Sequence, residues 1–333
     1  SDLMEQLQKA AEARGAQVVL SGDYQQLPPV GTGEPMKAMI DAGAGTAYLE
    51  DIRRQKDVAL LEAVRESVKG DHLKTFETLD KRGDYREIVG KKERHEAVKE
   101  EMTINKLQDY KKSLLLVSTN AERKAYNKEI RAEYVKRGEV EQGREYKITS
   151  RDGEKETIEK RHFAAGDRVI FTANDKKLDV KNGTLGTIEK IEENRFIIRT
   201  DTGQQKQLYI DKYKDIDHSY AVTNYKAQGM TVEKVVADMS TKSKAQDRNA
   251  LYVDISRAKK EAVVYTDNKP KLEKQTRDFA KKITGKDFAE RIQKMERGNR
   301  ITNNDRYKAP EEKKKKKMMQ KLQREPQRLT QYK

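Results

Sequence analysis

Apolar residues recur along the chain with two spacings, one typical of helices and one typical of buried strands. Spacings of three and four residues predict amphipathic helices over residues 2–14, 34–42, 57–69 and 120–135, and a charged stretch over 91–111 is also predicted helical. Short continuous apolar runs predict buried strands at residues 17–21, 113–117, 220–222, 232–237 and 262–266. Strands and helices that alternate in this way are typical of an α/β fold.

Residues 143–212 have a different pattern. Short alternating segments predict strands at residues 146–150, 157–160, 168–172, 185–191, 195–200 and 205–210. Asn182-Gly183 and Thr202-Gly203 are among the turn sequences between them. Closely spaced strands with such turns predict a small β-barrel inserted between α/β elements, and the pattern alone leaves the type of barrel open.

Two local signals concern helices. Asp71 is predicted to cap the helix that follows it, because its side chain can accept a hydrogen bond from the first turn. In the predicted helix 120–135, Arg123, Asn127 and Arg131 follow one another at four-residue spacing and therefore share one face.

The charge balance favours a polyanionic partner. The chain has 71 basic and 56 acidic residues, a formal net charge of +15, which attracts nucleic acid or an anionic membrane surface. No apolar run is long enough to cross a bilayer, so no membrane insertion is expected. The absence of cysteine excludes disulfides and thiolate metal sites, the four histidines lack metal-ligand spacing, and no metal-binding residue is predicted. These features favour a cytoplasmic protein.

The first candidate site is the segment 22–30. Pro28 and Pro29 forbid a helix, and Gly22 permits a tight exit from the predicted strand 17–21. Asp23 and Gln26 are thereby expected at the carboxyl end of a strand, where open α/β sheets place ligand groups. The alternative interpretation is a proline-terminated turn with surface polar groups.

Basic residues at the ends of apolar segments form the second set of candidates. Arg54 ends one such segment and Arg257 ends another, residues 249–258. A guanidinium is always charged and can hold two phosphate oxygens at once, which suits a nucleotide site. A solvated basic helix start is the alternative for Arg54. The third candidate is the polar turn after the strand 220–222, which contains Lys226, Gln228 and Gly229.

Four segments in this order, residues 22–30, 52–55, 219–231 and 251–258, resemble the motifs of superfamily-one DNA helicases of the 5′-to-3′, RecD-like branch. Within that branch the chain is similar to the helicase regions of conjugative relaxases such as TraI, TraA and TrwC, over roughly residues 1–268. The resemblance implies an α/β, RecA-like fold of the P-loop NTPase type. Its parts would be the carboxyl-terminal remnant of a first RecA-like domain (1–45), a second RecA-like domain (46–142 and 213–268), an inserted SH3-like β-barrel (143–212) and a basic, helical to disordered tail (269–333).

The resemblance also implies an ATP-dependent DNA helicase that uses ATP and Mg²⁺. Gln26 would sense the γ-phosphate, Asp23 would couple the nucleotide site to the DNA, and Arg54 would contact the γ-phosphate. Arg257 would be the arginine finger, a fixed cation that stabilises charge on the transferred phosphoryl group. Gln228 and Gly229 would lie near the nucleotide.

Single-stranded DNA is the partner that the resemblance implies, together with proteins of a DNA-transfer system. Thr223, Tyr225 and Lys226 would contact the strand. Tyr225 stands where the family usually has histidine, and a tyrosine can still stack on a base. The sequence leaves the oligomeric state open.

The sequence contains no P-loop, Gly-x-x-x-x-Gly-Lys-Ser/Thr, which cradles nucleotide phosphates. The chain is therefore expected to be part of a longer helicase, with the main phosphate and Mg²⁺ ligands upstream, and to be inactive as an ATPase by itself. A helicase fold that lost its motor is the competing explanation. Two non-enzymatic alternatives are a single-strand-binding or recruitment module and an RNA-binding β-barrel protein with a basic tail.

Overall fold

The computed structural model describes residues 2–28, 34–49, 51–152 and 155–278. Five parallel strands form the central sheet: β1 (Tyr85–Glu87), β2 (Ser113–Val117), β10 (Ala221–Thr223), β11 (Val232–Asp238) and β12 (Ala258–Thr266). Their spatial order is β1, β12, β11, β2, β10. The helices are α1 (Asp2–Glu12), α2 (Pro35–Asp41), α3 (Val58–Lys69), α4 (His72–Lys81), α5 (Lys91–Thr103), α6 (Asn120–Lys136), α7 (Asn224–Ala227), α8 (Arg248–Ser256) and α9 (Lys269–Gln275), with a 3-10 helix at Leu107–Lys112.

Helices cover both faces of this sheet. Successive residues of a strand point to opposite faces, so Leu114 and Leu116 of β2 pack in the cluster that contains α3, α4 and α8. Leu115 packs on the other side, with α5 and α6. A parallel sheet buried on both faces explains why its strands read as continuous apolar runs in the sequence.

The predicted strands between residues 143 and 212 are all present. They are β3 (Arg144–Asp152), β4 (Lys155–Phe163), β5 (Arg168–Phe171), β6 (Leu185–Glu192), β7 (Arg195–Thr200) and β8 (Gln205–Tyr209), joined by β9 (Ile216–His218). β3 and β4 form an antiparallel hairpin, and the other five form an antiparallel sheet in the order β8, β7, β6, β5, β9. Their apolar side chains share one core, which includes Phe163, Phe171 and Phe196. The SH3-like class of this region stays a prediction.

Helix α6 joins the antiparallel sheet to the parallel one through the face that the sequence predicted. Arg123 pairs with Asp217 at 2.9 Å, and Arg131 donates two hydrogen bonds to Asp167, at 2.9 and 3.0 Å. Asn127 bonds both backbone polar groups of Ala221, at 2.8 and 3.2 Å, on the edge strand β10. The polar face of α6 is therefore buried and holds the segment between the two sheets.

The predicted helix cap at Asp71 is confirmed, since its side chain accepts from the backbone N–H of Lys74 at 3.1 Å.

The predicted strand 17–21 is wrong: these residues form no strand, and Val19 is 82% exposed. A parallel strand needs a hydrogen-bonded neighbour, and none of the described strands pairs with this segment. The predicted tail beyond residue 278 lies outside the described residues.

Candidate functional site

The segment 22–28 is held against helix α8 by side chains of that helix. Asn249 Nδ2 donates to the carbonyl oxygens of Gln25 and Gln26, each at 2.9 Å. The Tyr252 hydroxyl donates to Asp23 Oδ2 at 3.1 Å. Asn249 and Tyr252 are three residues apart and share one face of α8, so the helix binds the segment at two points.

Asp23 and Gln26 also contact each other within a tight turn. Gln26 Nε2 donates to Asp23 Oδ2 at 3.1 Å, and the backbone N–H of Gln25 donates to Asp23 Oδ1 at 3.0 Å. The two residues were predicted at the end of a strand, and this placement is wrong. Contacts with α8 replace the missing strand as the support of the turn.

Arg54 and Arg257 both lie at the carboxyl end of α8. Arg54 donates to the carbonyl oxygen of Ser256 at 2.7 Å, and Gln55 Nε2 donates to the carbonyls of Ser256 and Ala258, at 3.1 and 2.8 Å. The carbonyl of Arg257 accepts from the backbone N–H of Val232 at 3.1 Å, so the residue is fixed where β11 and β12 begin.

Arg257 is a buried cation, with only 1% of its surface exposed. Its guanidinium donates to the Val253 carbonyl at 3.2 Å and to Ser256 Oγ at 3.0 Å, both neutral groups. Burial, and secondarily the charge of Arg54, lowers the pKa of Arg257 to about 10. The side chain is still charged at neutral pH. Among the described residues, no carboxylate is hydrogen-bonded to either of these two neighbouring guanidiniums, and such a pair suits a polyanion.

The charge of Arg257 interacts with that of Asp23 in the segment 22–28. Burial raises the pKa of the Tyr252 hydroxyl to about 12, and the adjacent Asp23 carboxylate adds to this rise. The hydroxyl therefore stays protonated and continues to donate to Asp23. The structure thus places Asp23, Gln26, Arg54 and Arg257 along one helix, α8, with Asp23 and Gln26 held from its side and the two arginines at its carboxyl end.

The turn after β10 contacts the same segment from a second direction. Gln228 Nε2 donates to the Leu27 carbonyl at 2.9 Å. Gly229 follows with φ +84°, a left-handed conformation that favours glycine. Gln228 and Gly229 are exposed.

Thr223, Tyr225 and Lys226 lie on or beside α7, next to a turn of the antiparallel sheet. An open cavity is lined by Pro28, Asn182, Gly183, Thr184, Tyr225, Lys226, Gln228, Gly229 and Met230. Tyr225 is 45% exposed. Burial lowers the pKa of the Lys226 ammonium, and the charge of Arg123 lowers it further. The cavity thus combines an accessible aromatic ring with basic and amide groups, as single-strand binding requires.

Several contacts were not predicted from the sequence. Asn249 and Tyr252 were missed, although two polar residues three apart in an apolar helical segment are a recognisable signal. The turn at Asn182 was identified only as a turn, and its position beside Tyr225 depends on the packing of the two sheets.

No group of three histidine or acidic side chains suited to a metal occurs in the described ranges. Among the helices described, none is both long and apolar enough to cross a membrane.

Two family models match the chain. One is described as an AAA domain and matches residues 1–90, and the other is a UvrD-like helicase C-terminal domain that matches residues 218–265. The first match includes the segment 22–28 and Arg54. The second includes the turn at Gln228 and the arginine at 257.

Relatives are found among curated proteins. The conjugal transfer protein TraA of Agrobacterium fabrum is 31% identical over 259 residues, which is 75% of this chain and 22% of that protein. A probable conjugal transfer protein TraA of Sinorhizobium fredii is 31% identical over 265 residues, 77% of this chain and 22% of its own length. The chain therefore spans about a fifth of the length of these relatives.

A solved structure shares the fold. The crystal structure of the Pif1 helicase from Bacteroides in complex with ADP-AlF3 and ssDNA superposes with a TM-score of 0.50 and 17% identity, over 87% of this chain and 68% of that one. Together with the parallel sheet covered by helices on both faces, this likeness confirms the predicted RecA-like α/β helicase fold.

Proposed function

We propose that this chain is the carboxyl-terminal motor part of an ATP-dependent DNA helicase in a conjugative relaxase. The proposal is supported by its similarity to the TraA conjugal transfer proteins and by its match to the UvrD-like helicase C-terminal domain. The proposed direction of movement, by resemblance, is 5′ to 3′. The observation that carries the proposal is the pair of guanidiniums at the end of α8, which no carboxylate in the described part of the chain neutralises by hydrogen bonding.

The proposed nucleotide site lies around Arg257. ATP bound with Mg²⁺ supplies the phosphoryl group whose transfer drives movement. Arg257 is held by Val253 and Ser256 with its charge intact. Because it is 1% exposed, the groups that cover it have to move aside before it can act as the arginine finger. Arg54, fixed on the Ser256 carbonyl, contributes a second cation to the γ-phosphate. By the resemblance, the P-loop and the main Mg²⁺ ligands are proposed to lie upstream of this chain.

The segment 22–28 is proposed to report the state of the nucleotide. Gln26 senses the γ-phosphate, and Asp23 transmits its position through Tyr252 to the helix that carries Arg257. Gln228, on the Leu27 carbonyl, links the same segment to the turn proposed to bind DNA. Gly229 lies beside it. These contacts connect the nucleotide and DNA sites within one network.

The proposed path of single-stranded DNA is the cavity beside α7. Tyr225 stacks on a base, Lys226 contacts a phosphate, and Thr223 borders the strand. The exposed ring of Tyr225 supports this role because a stacking side chain must be reachable from solvent. Proteins of the transfer system are further proposed partners.

The DNA half of the proposal is tested by the affinity of this chain for a fluorescently labelled oligo-dT, measured by anisotropy. Tyr225→Ala is expected to weaken binding about 5- to 150-fold, the range of one lost stacking contact. Tyr48→Ala is the control, since Tyr48 is 59% exposed and lies outside the cavity. Equal affinities for both variants and wild type would contradict the assignment of Tyr225.

The motor half is tested by DNA-stimulated ATP hydrolysis in a longer natural chain that includes a P-loop. Arg257→Ala is expected to lower kcat by about 10³-fold or more, as for other arginine fingers. Arg195→Ala, on a turn of the antiparallel sheet where it pairs with Glu192, should leave kcat unchanged. If the longer chain binds single strands but hydrolyses no ATP, the non-catalytic binding module is the correct function.

A further inference from the structure

The carboxyl group of Asp254 is buried, and the residue lies in α8 between the apolar residues Val253 and Ile255. It is 1% exposed and precedes Arg257 by three residues. Asn224, at the first position of α7, is 6% exposed. Asn224 Nδ2 donates to Asp254 Oδ2 at 3.0 Å, so the two side chains connect the two helices.

The second oxygen of each of these side chains lacks a donor. Asn224 Oδ1 and Asp254 Oδ1 are both buried and have no hydrogen-bond partner within the described part of the chain. Buried polar atoms are rarely left in this condition. One proton accounts for both atoms: a protonated Asp254 donates from Oδ1 to the Asn224 oxygen, and the carboxylic acid and the amide form two hydrogen bonds. An ionised Asp254 has no proton to donate and leaves both oxygens unsatisfied.

The charged groups around Asp254 agree with a neutral acid. The Arg257 guanidinium donates to Val253 and Ser256 and makes no hydrogen bond to Asp254. Asp247 caps α8 by accepting from the Ala250 N–H at 2.9 Å. Burial raises the pKa of the Asp254 carboxyl well above its usual range, the Arg257 charge opposes this rise, and the Asp247 charge adds to it.

We propose that Asp254 is a positioning residue that stays protonated at neutral pH and holds the Asn224 amide through two hydrogen bonds. This pair fixes the turn that carries Tyr225 and Lys226 on the helix that ends at Arg257. Because the Asp254 carboxyl is neutral, it does not offset the positive charge of the Arg257 guanidinium, which stays available to an incoming anion. The functional side of this inference rests on the proposed function, whereas the protonation state does not.

Asp254→Asn is the matched variant for the protonation state. An asparagine at 254 can make the same two hydrogen bonds to Asn224 without an added proton. Above the ordinary aspartate pKa of about 3.9, unfolding of the wild type releases a proton, which favours the unfolded state increasingly as pH rises. The folding equilibrium constant of the wild type is therefore expected to fall, relative to that of Asp254→Asn, by up to tenfold per pH unit until the folded-state pKa is reached.

Urea unfolding of the whole chain between pH 5 and pH 8 measures this difference. A difference in stability between wild type and variant that stays the same from pH 5 to pH 8 would show that Asp254 is ionised in the folded chain over this range and would overturn the proposal. An infrared spectrum of the wild type at pH 7 gives a second reading that needs no folded variant. It should contain the carbonyl stretch of a protonated carboxylic acid, and its absence would also overturn the proposal.

The positioning role is tested by single-strand affinity in the anisotropy assay. Asp254→Asn and the exchange variant Asn224→Asp/Asp254→Asn preserve an acid–amide or amide–amide pair and should bind oligo-dT like wild type. Asp254→Ala leaves Asn224 without its partner and should weaken binding at least fivefold. Unchanged affinity in Asp254→Ala overturns the positioning role. If the wild type binds no DNA, the proposed function fails, and the infrared result still decides the state of Asp254.

Discussion

Replacing Arg131 with methionine tests the junction between the two sheets. Asp167 is 0% exposed and accepts four hydrogen bonds: two from Arg131, at 2.9 and 3.0 Å, one from the Tyr220 hydroxyl at 2.8 Å and one from the Ala164 N–H at 2.7 Å. Methionine keeps most of the volume of the arginine stem but removes its charge and its donors. The substitution therefore leaves a buried carboxylate without its cation.

The expected cost follows from the burial of the pair. Removing one partner of a buried ion pair costs about 3–5 kcal/mol, because the remaining charge stays desolvated. An exposed pair such as Lys160 with Glu145, whose side chains are 65% and 43% exposed at 2.8 Å, is worth about 0–1 kcal/mol. Tyr220→Phe removes one hydrogen bond to the buried carboxylate and should fall between, at about 1.5–3 kcal/mol.

Urea unfolding followed by far-UV circular dichroism and tyrosine fluorescence measures these costs, since the chain has 15 tyrosines and no tryptophan. The expected order of destabilisation is Arg131→Met, then Tyr220→Phe, then Lys160→Met. The double variant Arg131→Met/Asp167→Leu should recover much of the loss, because it removes both charges. If Arg131→Met costs no more than Lys160→Met, the junction is not held by this pair.

Two further predictions concern pH and backbone strain. Burial lowers the pKa of His218, so its contribution to stability is complete above about pH 6.5 and is lost as the pH falls through the folded-state pKa. The urea midpoint of the wild type should therefore drop between pH 7.5 and pH 5, and that of His218→Gln should drop less. Equal drops would contradict this role of His218. Gly229→Ala should cost about 1 kcal/mol of folding free energy. The cost comes from its φ of +84° alone, since a Cβ there meets no atom within 4 Å. Gly45→Ala is the control, because Gly45 has equal space and no positive φ, and it should be neutral or stabilising in the same urea assay.

The elements that could be predicted from the sequence are those whose pattern is local. The run 113–117 is a strand with the predicted bounds, because a strand buried on both faces is apolar at every position. The four-residue spacing of Arg123, Asn127 and Arg131 correctly placed them on one face of a helix. The run 17–21 has the same apolar character as a strand, but strand pairing depends on a neighbour that a local pattern does not specify.

The candidate site was predictable where its residues belong to recognisable strings. Gln26, Arg54, Gln228 and Arg257 were each proposed in this way, and their roles stay predictions. The structure places Gln26, Arg54 and Arg257 along α8, and Gln228 on the carbonyl of Leu27. Their supports were not found, because each support pairs with a residue far along the chain. The amide of Asn249, for example, meets carbonyls that precede it by 223 and 224 residues. A polar residue in an apolar helix indicates a partner, but spacing does not identify it.

The short junction between β9 and β10 restricts how the sequence can vary in length. Only Ser219 and Tyr220 separate His218, paired in the antiparallel sheet, from Ala221, paired in the parallel one. Side chains alternate between the faces of a strand, so one inserted residue would shift Val222 from the face packed with α3, α4 and α8 to the opposite face, or break the pairing on one side. Insertions and deletions among related sequences are therefore expected in the hairpin turns of the antiparallel sheet and not between residues 218 and 221.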